Sequence, residues 1–174
     1  MNSKPAHPWK PGFRNLILPA VLFMASALAI NAQNADVSTQ GDLETAIGAA
    51  NTGTISTITF LNDIVLGSAL PNLTSPNLTI QGEGYTLRRN PEALMEFRIL
   101  NIVSGTVIIN DLTISGGRAT MEAWPDGFAG GVFSGGSLTM HICTLSDNQA
   151  WNGGAVRTGG AARGFYNCTF INNA

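Results

Sequence analysis

A short pattern of strand followed by turn occurs five times in this chain. In each copy a threonine lies between two apolar residues, and Gly, Asn or Asp follows within four positions. The five copies are Ile58-Thr59-Phe60, Leu78-Thr79-Ile80, Leu112-Thr113-Ile114, Cys143-Thr144-Leu145 and Cys168-Thr169-Phe170. Neighbouring side chains of a strand point to opposite faces, so each triplet directs two apolar groups inward and one hydroxyl outward. The residues that follow tolerate left-handed backbone or bond their own main chain, which ends the strand.

The spacing of the copies predicts a solenoid. The central threonines are 20, 34, 31 and 25 residues apart, and a strand and turn repeated at such intervals is typical of stacked coils. We therefore expect an all-β parallel β-helix over residues 54–174, with longer insertions at 85–96 and 118–129. In this register Thr59, Thr79, Thr113, Thr144 and Thr169 form one outward ladder. The six-residue period of left-handed hexapeptide helices is not visible.

The start of the chain has the pattern of a secretory signal peptide. Lys4, Lys10 and Arg14 precede an apolar run over 16–30, and small residues follow, with Ala-x-Ala at Ala27 and Ala29. The run is shorter than the roughly 20 residues that cross a bilayer comfortably. We predict a signal peptide over residues 1–32, cleaved after Ala29 or Ala32, and an exported protein. An uncleaved membrane anchor is the alternative.

Removal of this leader leaves an acidic chain. Six arginines and no lysine remain against eleven acidic residues, which argues against nucleic acid or an anionic membrane surface as the main partner. His141 is then alone, so we expect no imidazole metal cluster. No cofactor is predicted.

Residues 36–53 form a predicted N-terminal capping segment. Leu43, Ala46, Ile47 and Ala50 recur at helical spacing, and Ser38 or Thr39 is suited to cap the helix start. Terminal units of a solenoid must cover the apolar end of the stack. We expect this helix to be that cover.

Cys143 and Cys168 occupy equivalent inward positions of successive coils. Strands in a sheet lie about 4.8 Å apart, which is compatible with the Cα separation of a disulfide, and exported proteins meet an oxidising compartment. The two residues therefore form either a disulfide or a stack of two buried thiols that act as small hydrophobes.

The sequence stops at Ala174, directly after a strand, without a polar closing segment. Natural solenoids block exposed parallel edges, so we expect this chain to be the N-terminal fragment of a longer protein. End-to-end assembly of a short mature protein is the alternative.

Two motifs in the last coil carry a family resemblance. Gly153-Gly154-Ala155-Val156 and Phe170-Ile171-Asn172-Asn173 resemble the paired GGA(I/L/V) and FxxN motifs of the polymorphic outer membrane protein repeats of chlamydiae. The preceding coil departs from the pattern, because Gly130-Gly131-Val132 lacks the alanine and Leu145 replaces the aromatic residue before Asn148. Residues 42–117 are similar to the opening of exported bacterial right-handed β-helix proteins. The resemblance implies a right-handed parallel β-helix, secreted or displayed on the cell surface, often as the adhesive passenger of an autotransporter.

The predicted function is that of an adhesin or a passenger-like binding module. Trp124, Asp126 and Phe128 in the second insertion are candidate contacts to a host-cell protein or glycan, unless the two aromatic residues fold back onto the coil. Membrane attachment is expected only through a downstream anchor, and the oligomeric state stays open.

The competing interpretation is a polysaccharide lyase or glycoside hydrolase, which requires paired carboxylates or clustered acids that hold Ca²⁺. Asp63, Glu83 and Asp147 follow their threonines at similar offsets, so we expect them to share one edge without forming a cluster. Arg88 and Arg89 are candidates to orient a uronate. No catalytic residue is assigned, and an envelope scaffold without a specific ligand is the third interpretation.

Overall fold

The computed structural model describes residues 33–74, 77–120, 127–160 and 163–174. The predicted signal peptide therefore lies outside the described residues. Within the described part, one helix and sixteen short strands follow one another along the chain. They are β1 (Gln33–Val37), α1 (Gln40–Asn51), β2 (Ile55–Phe60), β3 (Ile64–Leu66), β4 (Asn77–Gln81), β5 (Thr86–Arg89), β6 (Leu100–Ile102), β7 (Thr106–Asn110), β8 (Thr113–Ser115), β9 (Arg118–Ala119), β10 (Val132–Ser134), β11 (Ser137–His141), β12 (Thr144–Ser146), β13 (Gln149–Ala150), β14 (Val156–Thr158), β15 (Arg163–Tyr166) and β16 (Thr169–Ile171).

The strands pair in parallel into four sheets. Sheet A has the order β1-β2-β4-β7-β11-β15, sheet B the order β16-β12-β8-β5-β3, sheet C the order β14-β10-β6, and sheet D pairs β13 with β9. The chain visits sheet A, then sheet B, then sheet C, and returns to sheet A one strand further along. Each strand therefore pairs with its equivalents in the preceding and following coils. The prediction of an all-β, parallel, solenoid-like fold is confirmed.

The core consists of apolar side chains stacked in columns. One column, from sheet A, contains Ile58, Ile80, Ile109 and Met140, which pair in register and are buried. A second, from sheet B, contains Ile64, Leu87, Ile114 and Leu145. Burial of each such side chain contributes about 1.5–3 kcal/mol relative to exposure. The apolar residues of the first four triplets thus lie inside, as their alternation predicts. In the last triplet Cys168 is half-buried and Phe170 is 48% exposed.

The prediction that all five threonines form one ladder is wrong. Thr113, Thr144 and Thr169 do share one column of sheet B, together with Thr86. Thr79 instead pairs with Thr57 and Ile108 in sheet A, and Thr59 pairs with Asp36 and Gln81 there. Both sheets have one buried and one outer face, so the same triplet suits either sheet and does not identify which one it joins.

The true coil length follows from pairing within one sheet. Thr57, Thr79, Ile108, Thr139 and Gly164 occupy successive places in one column of sheet A and are 22, 29, 31 and 25 residues apart. The interval from Thr59 to Thr79 compares two different positions of sheet A. The interval from Thr79 to Thr113 compares a position in sheet A with one in sheet B. The predicted insertion at 85–96 begins later than expected, because residues 86–89 form β5.

Left-handed residues turn the chain at the corner between sheets A and B. Glu83, Asp111, Ile142 and Asn167 have φ of 51°, 48°, 56° and 53°. A single residue in this conformation reverses the direction of the side chains, so two to four residues suffice for the corner. Asn and Asp tolerate the conformation, whereas a β-branched residue such as Ile142 rarely adopts it.

The side chains of two asparagines stabilise the corner that follows sheet B. Asn148 is fully buried; its Nδ2 donates to the carbonyl of Ile114 at 3.0 Å, and its Oδ1 accepts from the amide of Gly117 at 2.9 Å. Asn173 repeats the arrangement one coil later, since its Nδ2 donates to the carbonyl of Leu145 at 2.8 Å and its Oδ1 accepts from the amide of Asn148 at 3.1 Å. The Asn of the FxxN motif therefore satisfies backbone groups of the coil before it.

The paired glycines lie where two coils approach closely. A Cβ atom on Gly131 would come 2.4 Å from the carbonyl oxygen of Ala155, and one on Gly154 would come 2.3 Å from that of Ala174. Neither position has room for a side chain. Gly153 has a φ of 72°, which favours glycine at that position for its backbone conformation.

The predicted capping helix is present. Thr39 is its N-cap, its side chain accepts from the amide of Asp42, and the Asp42 carboxylate accepts from the Thr39 amide at 3.0 Å. Hydrogen bonds with Thr39 and Ser38 lower the pKa of the Asp42 carboxyl, and the bond with the Thr39 side chain contributes most. Leu43, Ala46, Ile47 and Ala50 are buried, and the helix packs on β1 and β2. The domain boundaries at 32, 36, 53 and 54 stay predictions.

Among the described residues, no helix is both long enough and apolar enough to span a membrane.

Replacement of Asn148 by alanine is expected to destabilise the fold by about 2–4 kcal/mol, because the Gly117 amide and the Ile114 carbonyl lose their partner inside the protein. Urea denaturation of the purified protein measures this change. Asn62→Ala, at an exposed corner position, is the control and should change stability by less than about 0.5 kcal/mol. Equal stabilities of the two variants would contradict the structural role of the buried asparagine.

Candidate functional site

Variation in coil length is concentrated on one side of the solenoid. Between sheets A and B the connections have two to four residues, whereas segments 90–99, 116–131 and 147–155, which run from sheet B to sheet C, have 10, 16 and 9. We call these three segments, together with 67–72 of the first coil, the loop flank. Loops that project from a rigid scaffold are the usual location of binding residues. The loop flank is therefore the candidate functional surface.

A cleft of about 310 Å³ lies in the loop flank. It is formed where segments of three successive coils meet, and we call it the Phe97 cleft. Its lining includes Asn72, Glu96, Phe97, Arg98, Asn101 and Arg118. Such a volume is at the lower end of the range for small-molecule sites, about 300–1,000 Å³.

A buried arginine supports the wall of this cleft. Arg89 is only 6% exposed, and its Nη2 donates to the carbonyl of Met95 at 2.9 Å and to that of Ala93 at 2.5 Å. Its guanidinium also lies 5.4 Å from the ring centroid of Phe97. These contacts fix segment 93–97, so that Leu94 and Met95 are held in solvent, 100% and 75% exposed. Arg89 is buried and its Nε and Nη2 groups donate to backbone carbonyls, which does not support the candidate role in orienting a uronate. Arg88, the other candidate, is exposed on sheet B and is not among the described residues that line the cleft.

The charged residues of the cleft are arranged around Glu96. Its carboxylate accepts a short hydrogen bond from the Thr120 hydroxyl, and its Oε1 lies 4.0 Å from Nη1 of Arg118. The Thr120 hydroxyl contributes most to a lowered pKa of Glu96, with a smaller effect of the Arg118 charge. Glu96 is therefore ionised at neutral pH.

Amide side chains form the opposite part of the lining. Nδ2 of Asn101 donates to Oδ1 of Asn72 at 2.7 Å, and Nη1 of Arg98 donates to Oδ1 of Asn101 at 3.1 Å. The Arg98 guanidinium also lies 5.1 Å from the ring centroid of Phe133 in the next coil. These two hydrogen bonds connect two successive coils, the contact with Phe133 reaches a third, and together they orient the polar groups of the cleft.

A second cluster on the loop flank contains two aromatic residues and an arginine. The rings of Phe128 and Trp151 are 6.3 Å apart, and the Arg157 guanidinium lies 3.9 Å from the Phe128 ring centroid. Phe128 is 8% exposed, whereas Trp151 is 57% exposed. The prediction of an exposed ligand contact at Phe128 is therefore wrong; the alternative, that it folds back onto the coil, is the one observed. Trp124 and Asp126 lie outside the described residues.

The acidic residues considered for catalysis do not share one edge. Asp63 and Glu83 lie in connections between sheets A and B, whereas Asp147 lies in the corner after sheet B. Oδ1 of Asp63 accepts from the Thr86 amide at 2.8 Å, and Oδ1 of Asp147 accepts from Nδ2 of Asn172 at 3.3 Å. Both carboxylates thus connect neighbouring coils. In the described ranges, His, Cys, Asp and Glu form no group of three or more suited to a metal ion.

The two cysteines are stacked free thiols. The Thr169 amide donates to the Cys143 carbonyl at 2.8 Å, which places the residues in register. Sγ of Cys143 donates to the carbonyls of His141 and Ile109 at 3.3 and 3.4 Å. Burial raises the pKa of Cys143 to about 11. Cys168, in the next coil, is half-buried. Oxidation of these two thiols to the alternative, a disulfide, stays a prediction.

Sequence reasoning missed the Phe97 cleft, because its residues belong to three coils and no linear motif joins them. The sequence does contain one signal for the cleft, the length of the connections from sheet B to sheet C. Those lengths can be read only after the strands have been assigned to the correct sheets. No protein-family model, curated protein or solved structure matches this chain.

Replacement of Arg89 by methionine is expected to loosen segment 93–97, since the carbonyls of Ala93 and Met95 lose a charged donor. We expect a loss of about 1–3 kcal/mol in stability and faster amide hydrogen exchange in peptides that cover residues 92–97. Arg88→Met is the matched control, because Arg88 is the exposed neighbour on the same strand. Unchanged exchange in the Arg89 variant would show that the guanidinium does not hold the loop.

Alkylation of the reduced native protein by iodoacetamide is expected to modify Cys168 faster than Cys143. At pH 8 the raised pKa keeps Cys143 almost entirely in the unreactive thiol form, and burial restricts access to it. Peptide mass mapping over time gives both rates in the same molecules. In denaturant the two rates should converge, and equal rates in the native protein would contradict the burial of Cys143.

Proposed function

We propose that this chain is a right-handed parallel β-helix that is exported and displayed on the bacterial cell surface as a binding module, in the manner of an adhesin or autotransporter passenger. The observation that carries the proposal is the concentration of coil-length variation on the loop flank. Coils that pair only with their neighbours form an elongated scaffold, and such scaffolds present loops along one side.

Several features support a binding role for this flank. Segment 93–97 exposes two apolar side chains but is fixed by Arg89, so little entropy is lost when a ligand orders it. The half-exposed Trp151 adds an aromatic surface of the kind enriched at interfaces. The proposed ligand is a host-cell protein or glycan.

The repeat motifs support the proposed family type. Asparagines 148 and 173 occupy equivalent places of successive coils, and so do glycines 130 and 154. This gives a physical reason for the GGA and FxxN pattern of the polymorphic outer membrane protein repeats. Export rests on the leader pattern of residues 1–32.

Purified protein is expected to bind epithelial cells or members of a glycan panel, without releasing unsaturated sugar ends from polysaccharides. A double variant of the loop flank, Met95→Ser with Trp151→Ser, should reduce binding by about tenfold, which corresponds to about 1.4 kcal/mol. The matched control is Leu61→Ser with Ile142→Ser, which alters two exposed apolar residues of the corner between sheets A and B.

Two results would contradict the adhesive role. The first is an equal effect of the two double variants, which would remove the link between binding and the loop flank. The second is saturable release of sugar ends, which would establish a polysaccharide-degrading enzyme instead.

A further inference from the structure

We propose that the Phe97 cleft binds a sugar unit that carries a carboxylate, an inference that specifies the ligand class and rests on the proposed binding function of the loop flank.

The charge of the cleft differs from that of the rest of the chain. The sequence beyond the predicted leader has an excess of five acidic residues. Among the described residues, by contrast, the lining of the cleft contains Arg98 and Arg118 and one acid, Glu96. Arg118 is 47% exposed at its side chain, and its Nη1 lies 4.0 Å from Oε1 of Glu96, which is too far for a hydrogen bond. A ligand carboxylate can accept two parallel hydrogen bonds from such a guanidinium, which is a stronger arrangement than this distant contact.

The amides beside the arginines suit hydroxyl groups. A primary amide offers two N–H donors and a carbonyl acceptor, and a sugar hydroxyl both donates and accepts. Asn101 donates to Asn72 and accepts from Arg98, which fixes both amide planes. Among the described residues, no hydrogen bond uses the Nδ2 group of Asn72, so its donors are open to a ligand.

The backbone at the cleft argues against an extended peptide as the ligand. The amides of Ile99 and Leu100 donate to the carbonyls of Gly130 and Gly131 at 3.0 Å. On the other side, the Leu73 amide donates to the Asn101 carbonyl at 2.8 Å. Since both neighbours of this strand are in place, a peptide has no free edge to extend the sheet. Recognition must therefore use side chains, and the amides and guanidiniums present match a hydroxylated anion.

The test is an NMR titration of the full chain with glucuronate, with glucose as the neutral hexose of matched ring. Glucuronate is expected to bind in the millimolar range and at least about tenfold more tightly than glucose. The difference is the contribution of the charge-assisted pair between its carboxylate and the Arg118 guanidinium. Arg118→Gln should weaken glucuronate binding by about tenfold, whereas Arg88→Gln, on an exposed position of sheet B, should leave it unchanged.

A second variant provides a change in the opposite direction. Glu96→Gln removes the competing carboxylate, so it is expected to strengthen glucuronate binding several-fold while its effect on glucose is small. A glutamate-rich tetrapeptide is included as the peptide probe. Amide exchange of the cleft segments checks that each variant retains the fold.

Three results would overturn the inference: glucose binding as tightly as glucuronate, Arg118→Gln leaving glucuronate affinity unchanged, or tighter Arg118-dependent binding of the tetrapeptide. Failure of the inference is distinguishable from failure of the adhesive role. Cell binding by a protein that gives any of these three results would refute the cleft assignment alone, whereas Arg118-dependent glucuronate binding without any cell or glycan binding would refute adhesion alone.

Discussion

Parallel hydrogen bonding between equivalent strands of successive coils is the constraint on which this structure depends. A strand in sheet A or B must present its backbone groups at the same height and in the same register as the strand of the coil before it. Equivalent side chains are then stacked directly over one another, which is why isoleucine and leucine follow each other in the core columns. Because the interior is narrow, these columns fill it without a separate core-forming element.

The same constraint determines the corners. The chain must leave one sheet and enter the next within a few residues, and it does so with a left-handed residue such as Asp111 or Asn167. After sheet B, some backbone N–H and C=O groups have no backbone partner. The side chains of Asn148 and Asn173 supply the missing hydrogen-bond donors and acceptors. Glycines 131 and 154 leave space for the adjacent coil. The repeat motif is therefore a consequence of coil stacking.

Much of the fold could be predicted from the sequence, because its signals are local. The alternation in each triplet identified strands with one buried face, and the spacing and capping residues located α1. The assignment of strands to sheets could not be predicted in the same way. Thr79 and Thr113 have almost identical neighbours, yet one lies in sheet A and the other in sheet B. Their difference arises from pairing partners tens of residues away, which the local pattern does not encode. Phe128 is a similar case, since its burial depends on Arg157 in the following coil.

The loop flank is where the stacking constraint is relaxed, and two arginines there illustrate what that permits. Arg89 ends a strand, is buried, and uses its donors on carbonyls of a loop that has no neighbouring strand to satisfy them. Arg118 begins the short β9 and stays half exposed, and among the described residues its ion-pair partner is the distant carboxylate of Glu96. In a low-dielectric position a guanidinium must be fully hydrogen-bonded, since the penalty for a missing partner is large. Near solvent that requirement is weaker, so Arg118 can exchange partners. Burial alone therefore separates the arginine that makes the flank rigid from the arginine that can exchange partners.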